Sequence, residues 1–515
     1  MLPQMKILFL TAIIGVTDPA MASTLPDLKS LSDDGLIALY EKASSADQPN
    51  ICNEVVPILA ELMSRPSIEG NLQERKTAAD FDCALQENRW GPAYRLLPRV
   101  EAYVERDLGS LGFLVALFSD HYNDAAQRLI ALAKAKDADE LLSIDDQQIY
   151  RLLGELWTAK QFEQRGAVAQ ALLASPHVGK LPDNLQSFLA SAIIGEEART
   201  GKFKRSVALL DSINSPYSFA NFLAMREYAP IWPQIEEAAG PNMSKAIGRQ
   251  LESDRARLNK DRSDREAFQQ VAHALHFAGR FEDVVSFVGE LDHSPAGIAK
   301  INEDEAWALN VEAYALDALG RRDEAEAIFD AIAAIPYDPE ENGWLVNFTI
   351  NRGSRLVELG QWEKGLEAAK LAAKVAETSG SPYAKMLIMR DQICALTRLN
   401  RKSEAAAMIE QIFTQRSDSH STAATALICA GDMKRAAQTV IEALSDPVHA
   451  EAMVDELQKP GFQLFYTKSE LPTLREALLP RADVRAAFDK VARDIPEKFM
   501  PLAGLRRQEL AAAKP

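Results

Sequence analysis

Residues 305–336, EAWALNVEAYALDALGRRDEAEAIFDAIAAIP, contain two apolar stripes separated by a turn. The stripes consist of Leu309, Ala313 and Leu316 in the first half and of Ala325, Ile328, Phe329 and Ile332 in the second. This spacing predicts two amphipathic helices, with Gly320 at the turn and Pro336 at the stop. One such hairpin cannot bury both stripes, so it needs similar hairpins on either side.

Similar turns recur through most of the chain. The candidate turn residues are Lys160, Gly201, Gly240, Gly279, Gly320, Gly360, Asn400 and Gly431. The first seven lie 39–41 residues apart, and the last step is 31 residues. Gly240 is the weakest member, because prolines crowd it. No segment shows sustained period-two alternation, so we expect essentially no sheet.

The segment from Gly320 to Ala325, with Phe329 and Pro336 beyond it, resembles the tetratricopeptide repeat. That family places a glycine at the turn, a small residue five positions later and an aromatic residue in the second helix. Residues 400–405 and 431–436 follow the same pattern. The resemblance implies an all-α fold, a right-handed α-solenoid of antiparallel helix hairpins. The period near 40 exceeds the family's repeat of about 34 residues, so HEAT-like repeats are the structural alternative.

These patterns divide the chain into five predicted parts. They are a signal peptide (1–22), degenerate N-terminal hairpins (23–150), the repeat array (151–446), C-terminal capping helices (447–504) and a frayed tail (505–515). The signal peptide has one early Lys, an apolar run at 7–16 and the cleavage site Ala20-Met21-Ala22. We therefore expect export to the periplasm of a bacterial envelope, with cleavage after Ala22.

The composition is that of a globular protein, with a formal net charge of −17. This balance opposes binding to nucleic acid and to anionic membrane surfaces, because both require clustered Lys and Arg. No later stretch has the roughly 18 uninterrupted apolar residues of a membrane span. We therefore expect no nucleic-acid partner and no membrane insertion. The sequence does not reveal the oligomeric state.

The four cysteines form two pairs, and export permits disulfides. Cys52 lies near the start of one predicted helix and Cys83 near the end of the next, so an antiparallel hairpin would bring them together. Cys394 and Cys429 lie near the ends of first helices in successive hairpins, and we expect a second disulfide there. Free buried thiols are the alternative for both pairs.

The chain contains none of the catalytic motifs we tested. His273 and His276 lie three residues apart on a predicted helix, but no nearby residue at a recognised spacing completes a metal site. Residues 195–202 do not form a phosphate-binding loop motif. Their two glycines are one residue too far apart, and Phe203 stands where the motif requires Ser or Thr. Some lytic transglycosylases carry a similar helical superhelix, but too little chain follows residue 444 for their catalytic domain. We predict no enzymatic activity, no metal and no cofactor.

The resemblance to tetratricopeptide repeats implies that the first helices line a concave groove. The groove residues expected from their distance to each turn include Trp307, Asn310, Tyr314, Asp317, His273, His276 and Arg390. Aromatic residues beside polar ones suit the recognition of a peptide or protein. The alternative is that Trp307 and Tyr314 pack against the preceding hairpin. We therefore expect a protein-interaction scaffold, with a glycan or small-molecule binding module as the second hypothesis.

Overall fold

A computed structural model describes residues 25–45, 50–68, 71–462 and 469–512 of the protein. These residues are helical, and the only β-structure among them is an isolated bridge between Met225 and Ala492. The predicted all-α class is therefore confirmed. The predicted signal peptide at 1–22 lies outside the described residues. Among the helices described, none is both long and apolar enough to cross a membrane.

The chain forms two compact units, Met1–Pro182 and Asp183–Pro515. The expected start of the repeat array at residue 151 lies within unit 1. The helices of unit 1 are α1 (Asp33–Ser44), α2 (Val56–Met63), α3 (Leu72–Gln86), α4 (Trp90–Val104), α5 (Gly109–Phe118), α6 (Tyr122–Lys134), α7 (Asp139–Leu142), α8 (Asp146–Thr158) and α9 (Phe162–Leu173). The predicted Cys52–Cys83 disulfide is present, and it joins the turn of π-helix before α2 to α3.

Unit 2 contains twenty α-helices within its described residues. They are α10 (Asp183–Thr200), α11 (Ser206–Leu209), α12 (Pro216–Ala224), α13 (Trp232–Ala239), α14 (Ser244–Lys260), α15 (Arg265–Phe277), α16 (Phe281–Val288), α17 (Pro295–Ile298), α18 (Glu303–Leu319), α19 (Arg322–Ala333), α20 (Leu345–Glu358), α21 (Trp362–Ser379), α22 (Pro382–Arg398), α23 (Lys402–Thr414), α24 (His420–Ala430), α25 (Met433–Ser445), α26 (Ala450–Glu456), α27 (Leu474–Leu478), α28 (Ala482–Val491) and α29 (Leu502–Ala512).

The hairpin α18–α19 forms where the sequence predicts it. Asn302 and Glu305 close a capping box at the start of α18, and Gly320 ends this helix with a φ of 80°. A positive φ suits glycine, which has no Cβ. The two apolar stripes predicted at 309–316 and 325–332 are buried in one core cluster. The local pattern thus determines both the helices and the faces that they bury.

All eight predicted turn residues have a positive φ and separate two helices. At Gly320 the next amide, of Arg321, donates to the Leu316 carbonyl, while Gly320 itself donates to Asp317, which is a Schellman motif. The same pair of bonds occurs at the other predicted turns except Gly240. Pro241 follows Gly240 and has no amide hydrogen to donate, which accounts for the exception.

The first helices of successive hairpins in unit 2 lie side by side. Helix α15 packs on α18, α20 packs on α22, and α22 packs on α24. Side-chain contacts such as the Arg355–Asp317 ion pair connect α18 to α20. The predicted Cys394–Cys429 disulfide is present and joins α22 to α24. These four junctions connect five first helices in succession.

The segment after α25, residues 447–512, returns to the first helices of unit 2. Arg493 donates to the carbonyls of Leu223 and Ala224 at the end of α12. Helix α26 contacts α12, and α29 contacts α15 and α18. The sequence predicted that these helices cap the repeat array, and the structure shows them in contact with both the last and the first helices of unit 2. The tail expected to fray from residue 505 is helical to Ala512, and Arg506 in it donates to the Gly279 carbonyl.

Candidate functional site

Two of the expected groove residues are buried and cannot contact a ligand. Asp317 accepts two hydrogen bonds from Arg355, of 2.6 and 2.7 Å, and the two side chains are 4% and 3% exposed. Asn310 is 2% exposed, and its Oδ1 accepts from Asn351 Nδ2 at 3.4 Å. Both residues join α18 to α20. The expectation was wrong for them, because this face of α18 packs against the next first helix.

The aromatic residues expected in the groove are half-buried. Trp307 packs on Phe348 of α20, with 4.8 Å between ring centroids. Tyr314 meets the edge of Phe329, with 6.0 Å between centroids, and burial raises the pKa of Tyr314. These partners belong to the same and the following hairpins, not to the preceding one. Their role in binding stays a prediction.

The two histidines lie in the interior of unit 2. His276 is fully buried with its ring 5.1 Å from that of Phe281, and burial lowers its pKa well below the usual value. Burial also lowers the pKa of His273 to about 4, so both rings are neutral at pH 7. A buried neutral His276 cannot serve as an exposed groove contact, which corrects that expectation.

Other potential metal ligands in the same part of the sequence, Glu282 and His293, have partners of their own. Glu282 pairs with Arg506, and His293 pairs with Glu312. Among the described residues, the only group of three potential ligands close enough for a metal is Cys52, Cys83 and Glu87. Its two cysteines form a disulfide, which removes their thiolates as ligands.

Arg390 belongs to a polar network between α20 and α22. Its guanidinium donates to Asp391 at 2.7 and 2.9 Å and to Ser354 Oγ at 2.8 Å. Ser354 in turn donates to the other oxygen of Asp391 at 2.7 Å. Glu358 lies one helical turn beyond Ser354 on the same face of α20, and the charge of Arg390 acts on it. This network fixes the position of Arg390 before any ligand arrives.

Several ionisable side chains gather around Arg390, and we call them the inner cluster. The inner cluster consists of Tyr217 on α12, Glu358 on α20, Tyr383 and Arg390 on α22, and Asp455 and Glu456 on α26. The Arg390 charge acts on Glu358, Tyr383 and Glu456, and the Asp455 charge acts on Tyr217. Helix α26 thus brings charged side chains of these four helices close enough to affect one another.

Burial raises the pKa values of the acidic residues in the inner cluster. It raises the pKa values of Glu358 and Glu456 to about 7 and that of Asp455 to about 6. For Glu358 and Glu456 the positive charge of Arg390 opposes this shift, while neighbouring carboxylates add to it. These acids therefore change charge near neutral pH, whereas an ordinary carboxyl is fully ionised there.

The inner cluster faces water as well as protein. Tyr217 and Tyr383 are 49% and 53% exposed, yet burial raises the pKa of each. Asp455 is also exposed while burial raises its pKa. Tyr217, Tyr383 and Asp455 are therefore the members of the inner cluster that a ligand can reach from solvent.

Sequence reasoning identified only Arg390 among these residues. Glu358 lies two residues before the turn at Gly360, outside the positions expected for the groove. Asp455 and Glu456 lie in the segment that was assigned to capping. The one available signal was the pair of adjacent acids in a short helix rich in apolar residues.

A scan of protein-family models finds no match to this chain, and a search of curated proteins returns none.

Proposed function

We propose that this protein is an exported scaffold that binds a peptide or protein segment at the inner cluster of unit 2. The observation that carries the proposal is the inner cluster, where half-exposed tyrosines stand beside ionisable groups. Tyrosine offers a large contact area at a small entropic cost, and the charged groups determine the register of a bound chain. The recurring turns support a tetratricopeptide-repeat-like array, and we assign it binding rather than catalysis.

Export to the periplasm is supported by the N-terminal sequence pattern and by the two disulfides. Disulfides persist in oxidising compartments and are rare in a reducing cytosol. The test is to express the full chain in a bacterium, fractionate the cells and sequence the mature N-terminus. We expect a periplasmic protein that begins at Ser23 and has no free thiol after unfolding. Recovery of the uncleaved, reduced protein from the cytoplasm would contradict export.

Partner binding is tested by cross-linking in an envelope extract, followed by identification of the captured peptides. The test variant carries Tyr217→Ala and Tyr383→Ala, and the control carries Val207→Ala and Leu371→Ala, which remove exposed apolar groups elsewhere in unit 2. We expect one cross-linked partner that the test variant loses and the control keeps. Equal capture by the test variant and the wild type would contradict the proposed site.

A glycan or small-molecule ligand is the second candidate, and the same exposed tyrosines favour it. Aromatic faces can stack on sugar rings in a concave site. Soluble cell-wall fragments are therefore added to the purified protein, and intrinsic tyrosine and tryptophan fluorescence is titrated. Saturable binding of a fragment that is lost in the Tyr217→Ala and Tyr383→Ala variant would favour this candidate over a protein partner.

A further inference from the structure

The ring of His293 lies between two hydrogen-bond acceptors. Its Nε2 is 2.7 Å from Oε2 of Glu312 on α18, and its Nδ1 is 2.8 Å from the carbonyl oxygen of Leu291. The Glu312 side chain is 6% exposed, and no other residue within the described ranges donates a hydrogen bond to its carboxylate. The His293 side chain is 34% exposed, so protons can reach the pair from solvent.

This geometry requires one proton more than a neutral ring and an ionised carboxylate hold together. A neutral imidazole has a single N–H group, and its other nitrogen is an acceptor. The Leu291 carbonyl and the Glu312 carboxylate also only accept, so both ring nitrogens must carry hydrogen for both contacts to be hydrogen bonds. The alternative is a neutral ring that accepts from a protonated Glu312. Both forms contain the same additional proton, which the two side chains share.

Loss of the shared proton turns one of the two contacts into a repulsion. If Nε2 keeps its hydrogen, the lone pair of Nδ1 points at the Leu291 carbonyl. If Nδ1 keeps its hydrogen, the lone pair of Nε2 points at the Glu312 carboxylate. In either case two acceptors meet at hydrogen-bond distance and one partly buried polar contact is lost.

The pair connects a loop segment to α18. His293 belongs to residues 289–301, which we call the connector and which join α16 to α18. The connector contains the short helix α17, which packs on α19. Ile298 in α17 is buried in the same core cluster as the apolar residues of α18 and α19. Loss of the contact between His293 and Glu312 therefore loosens the connector and gives water access to part of this core.

The electrostatic surroundings of the pair favour proton uptake by the folded protein. Burial opposes a charge on His293, but the hydrogen bonds to Glu312 and Leu291 raise its pKa above the usual value. Burial also raises the pKa of Glu312, although the hydrogen bond from His293 opposes this shift. Both groups thus bind a proton more readily in the folded protein than in the unfolded chain. The contact is therefore present at lower pH and is lost as the pH rises through neutral.

The other charged groups that face this pair do not titrate near neutral pH. They are Asp292 in the connector and Arg321 and Glu324 at the start of α19. Arg321 donates to Glu324 at 2.6 and 2.7 Å, so these two charges partly offset each other, and Lys300 acts on Asp292. Ordinary Asp, Glu, Lys and Arg side chains keep their charges between about pH 5 and pH 9.

We propose that the proton shared by His293 and Glu312 is a pH-sensitive switch, which holds the connector on α18 at mildly acidic pH and releases it as the pH rises above neutral. The switch does not depend on the partner binding proposed above. It makes the packing of α17 on the repeat hairpin α18–α19 responsive to the pH of the surroundings.

Hydrogen–deuterium exchange with mass spectrometry tests this, at pH 6 and pH 8 and with correction for the pH dependence of the intrinsic exchange rate. We expect the protection of the connector in the wild type to be weaker by about tenfold at pH 8. In Glu312→Gln the side-chain amide donates to Nε2 of a neutral His293, whose Nδ1 still donates to Leu291, so no additional proton is needed. The protection should then change by less than about twofold. Equal protection of the wild-type connector at both pH values would overturn the switch.

His177→Gln is the matched control. Nε2 of His177 meets one acceptor, the Ala135 carbonyl at 3.1 Å, and a neutral ring is sufficient for this contact. The connector should therefore keep its roughly tenfold response in this variant. Loss of the response in His177→Gln as well as in Glu312→Gln would overturn the assignment to the shared proton.

His293→Gln repeats the test from the other side of the pair. Its amide donates to the ionised Glu312 without an additional proton, so we expect the same loss of the pH response. Circular dichroism at both pH values verifies that each variant is folded. A response of about tenfold that survives in a folded Glu312→Gln or His293→Gln variant would contradict the proposal, because the shared proton is absent from both.

Discussion

Asp317 and Arg355 form the most completely buried ion pair among those described, and it connects two neighbouring first helices. Arg355 also lies over the ring of Phe329, 5.3 Å from its centroid. Removal of one partner leaves the other charge buried without compensation, which costs about 3–5 kcal/mol. We therefore expect Arg355→Ala to reduce the free energy of unfolding by this amount, measured by urea denaturation of the purified protein.

The control for this prediction is the pair of Arg401 and Glu404. It has the same two-bond geometry, at 2.6 and 2.7 Å, but both side chains are exposed. Exposed pairs contribute less than about 1 kcal/mol, so Arg401→Ala should leave the urea midpoint almost unchanged. Similar losses in the two variants would show that the Asp317–Arg355 pair is not buried in solution.

The raised pKa of Glu358 predicts how stability varies with pH. The folded protein binds a proton at Glu358 up to about pH 7, whereas the unfolded chain releases it near pH 4.5. Stability therefore falls as pH rises through this interval. We expect Glu358→Gln to reduce the loss of unfolding free energy between pH 5 and pH 8 by about 1 kcal/mol, since Glu358 is partly exposed and water screens its charge.

Urea denaturation at the two pH values checks this, and exposed Glu363→Gln is the control. A wild type and a Glu358→Gln variant with parallel pH profiles would contradict burial of the Glu358 charge. The groups that face Glu358 and contribute to the same profile are Tyr314 on α18, Arg390 and Asp391 on α22, and Glu456 on α26.

At the scale of the elements, glycine substitutions measure the effect of backbone conformation alone, at positions where a new side chain would touch no other atom. Gly431 has a φ of 84°, and a Cβ built there would meet no atom within 4 Å. The cost of Gly431→Ala is therefore conformational, and we expect a loss of about 1 kcal/mol in unfolding free energy. Gly248 lies within α14 with similar open space, and Gly248→Ala should stabilise by about 0.5–1 kcal/mol. Thermal unfolding of the two variants should show shifts of opposite sign.

The elements were largely predictable from the sequence because their determinants are local. Apolar residues at helical spacing predict α18 and α19, and a glycine or asparagine supplies the positive φ at every predicted turn except that of Lys160. The side-chain partners were not predictable. The face of α18 that packs on α20 depends on how the two helices are rotated relative to each other, and a local pattern does not determine this rotation. Asp317 was therefore assigned to a groove, although it accepts a hydrogen bond from Arg355.

At the scale of the whole molecule, Arg493 holds the C-terminal segment of unit 2 to its first helices. Its guanidinium donates to the Leu223 carbonyl at 2.8 Å, pairs with Glu236 at 3.1 Å and lies 3.5 Å from the centroid of the Trp232 ring. We expect Arg493→Ala to cost about 2–4 kcal/mol of unfolding free energy, since it leaves the Leu223 carbonyl without its donor and Glu236 with Lys498 as its remaining partner.

Limited proteolysis checks this prediction, because the loosened segment should be cleaved faster. Arg485→Ala is the matched control, since the ion pairs of Arg485 with Asp489 and Asp494 lie within the C-terminal segment itself. Equal cleavage rates for wild type and Arg493→Ala would contradict closure through Arg493. The sequence did not predict this closure, because contacts between residues so distant along the chain leave no periodic pattern.

The contact between Arg493 and Leu223 joins residues that are 270 positions apart, and this affects the order of events during biosynthesis. At roughly 5–20 residues per second, a ribosome makes residue 493 roughly 15–50 s after residue 223. Helices α12 and α13 spend that interval without their final partners. Unit 2 therefore cannot reach its final packing until nearly the whole chain has been made.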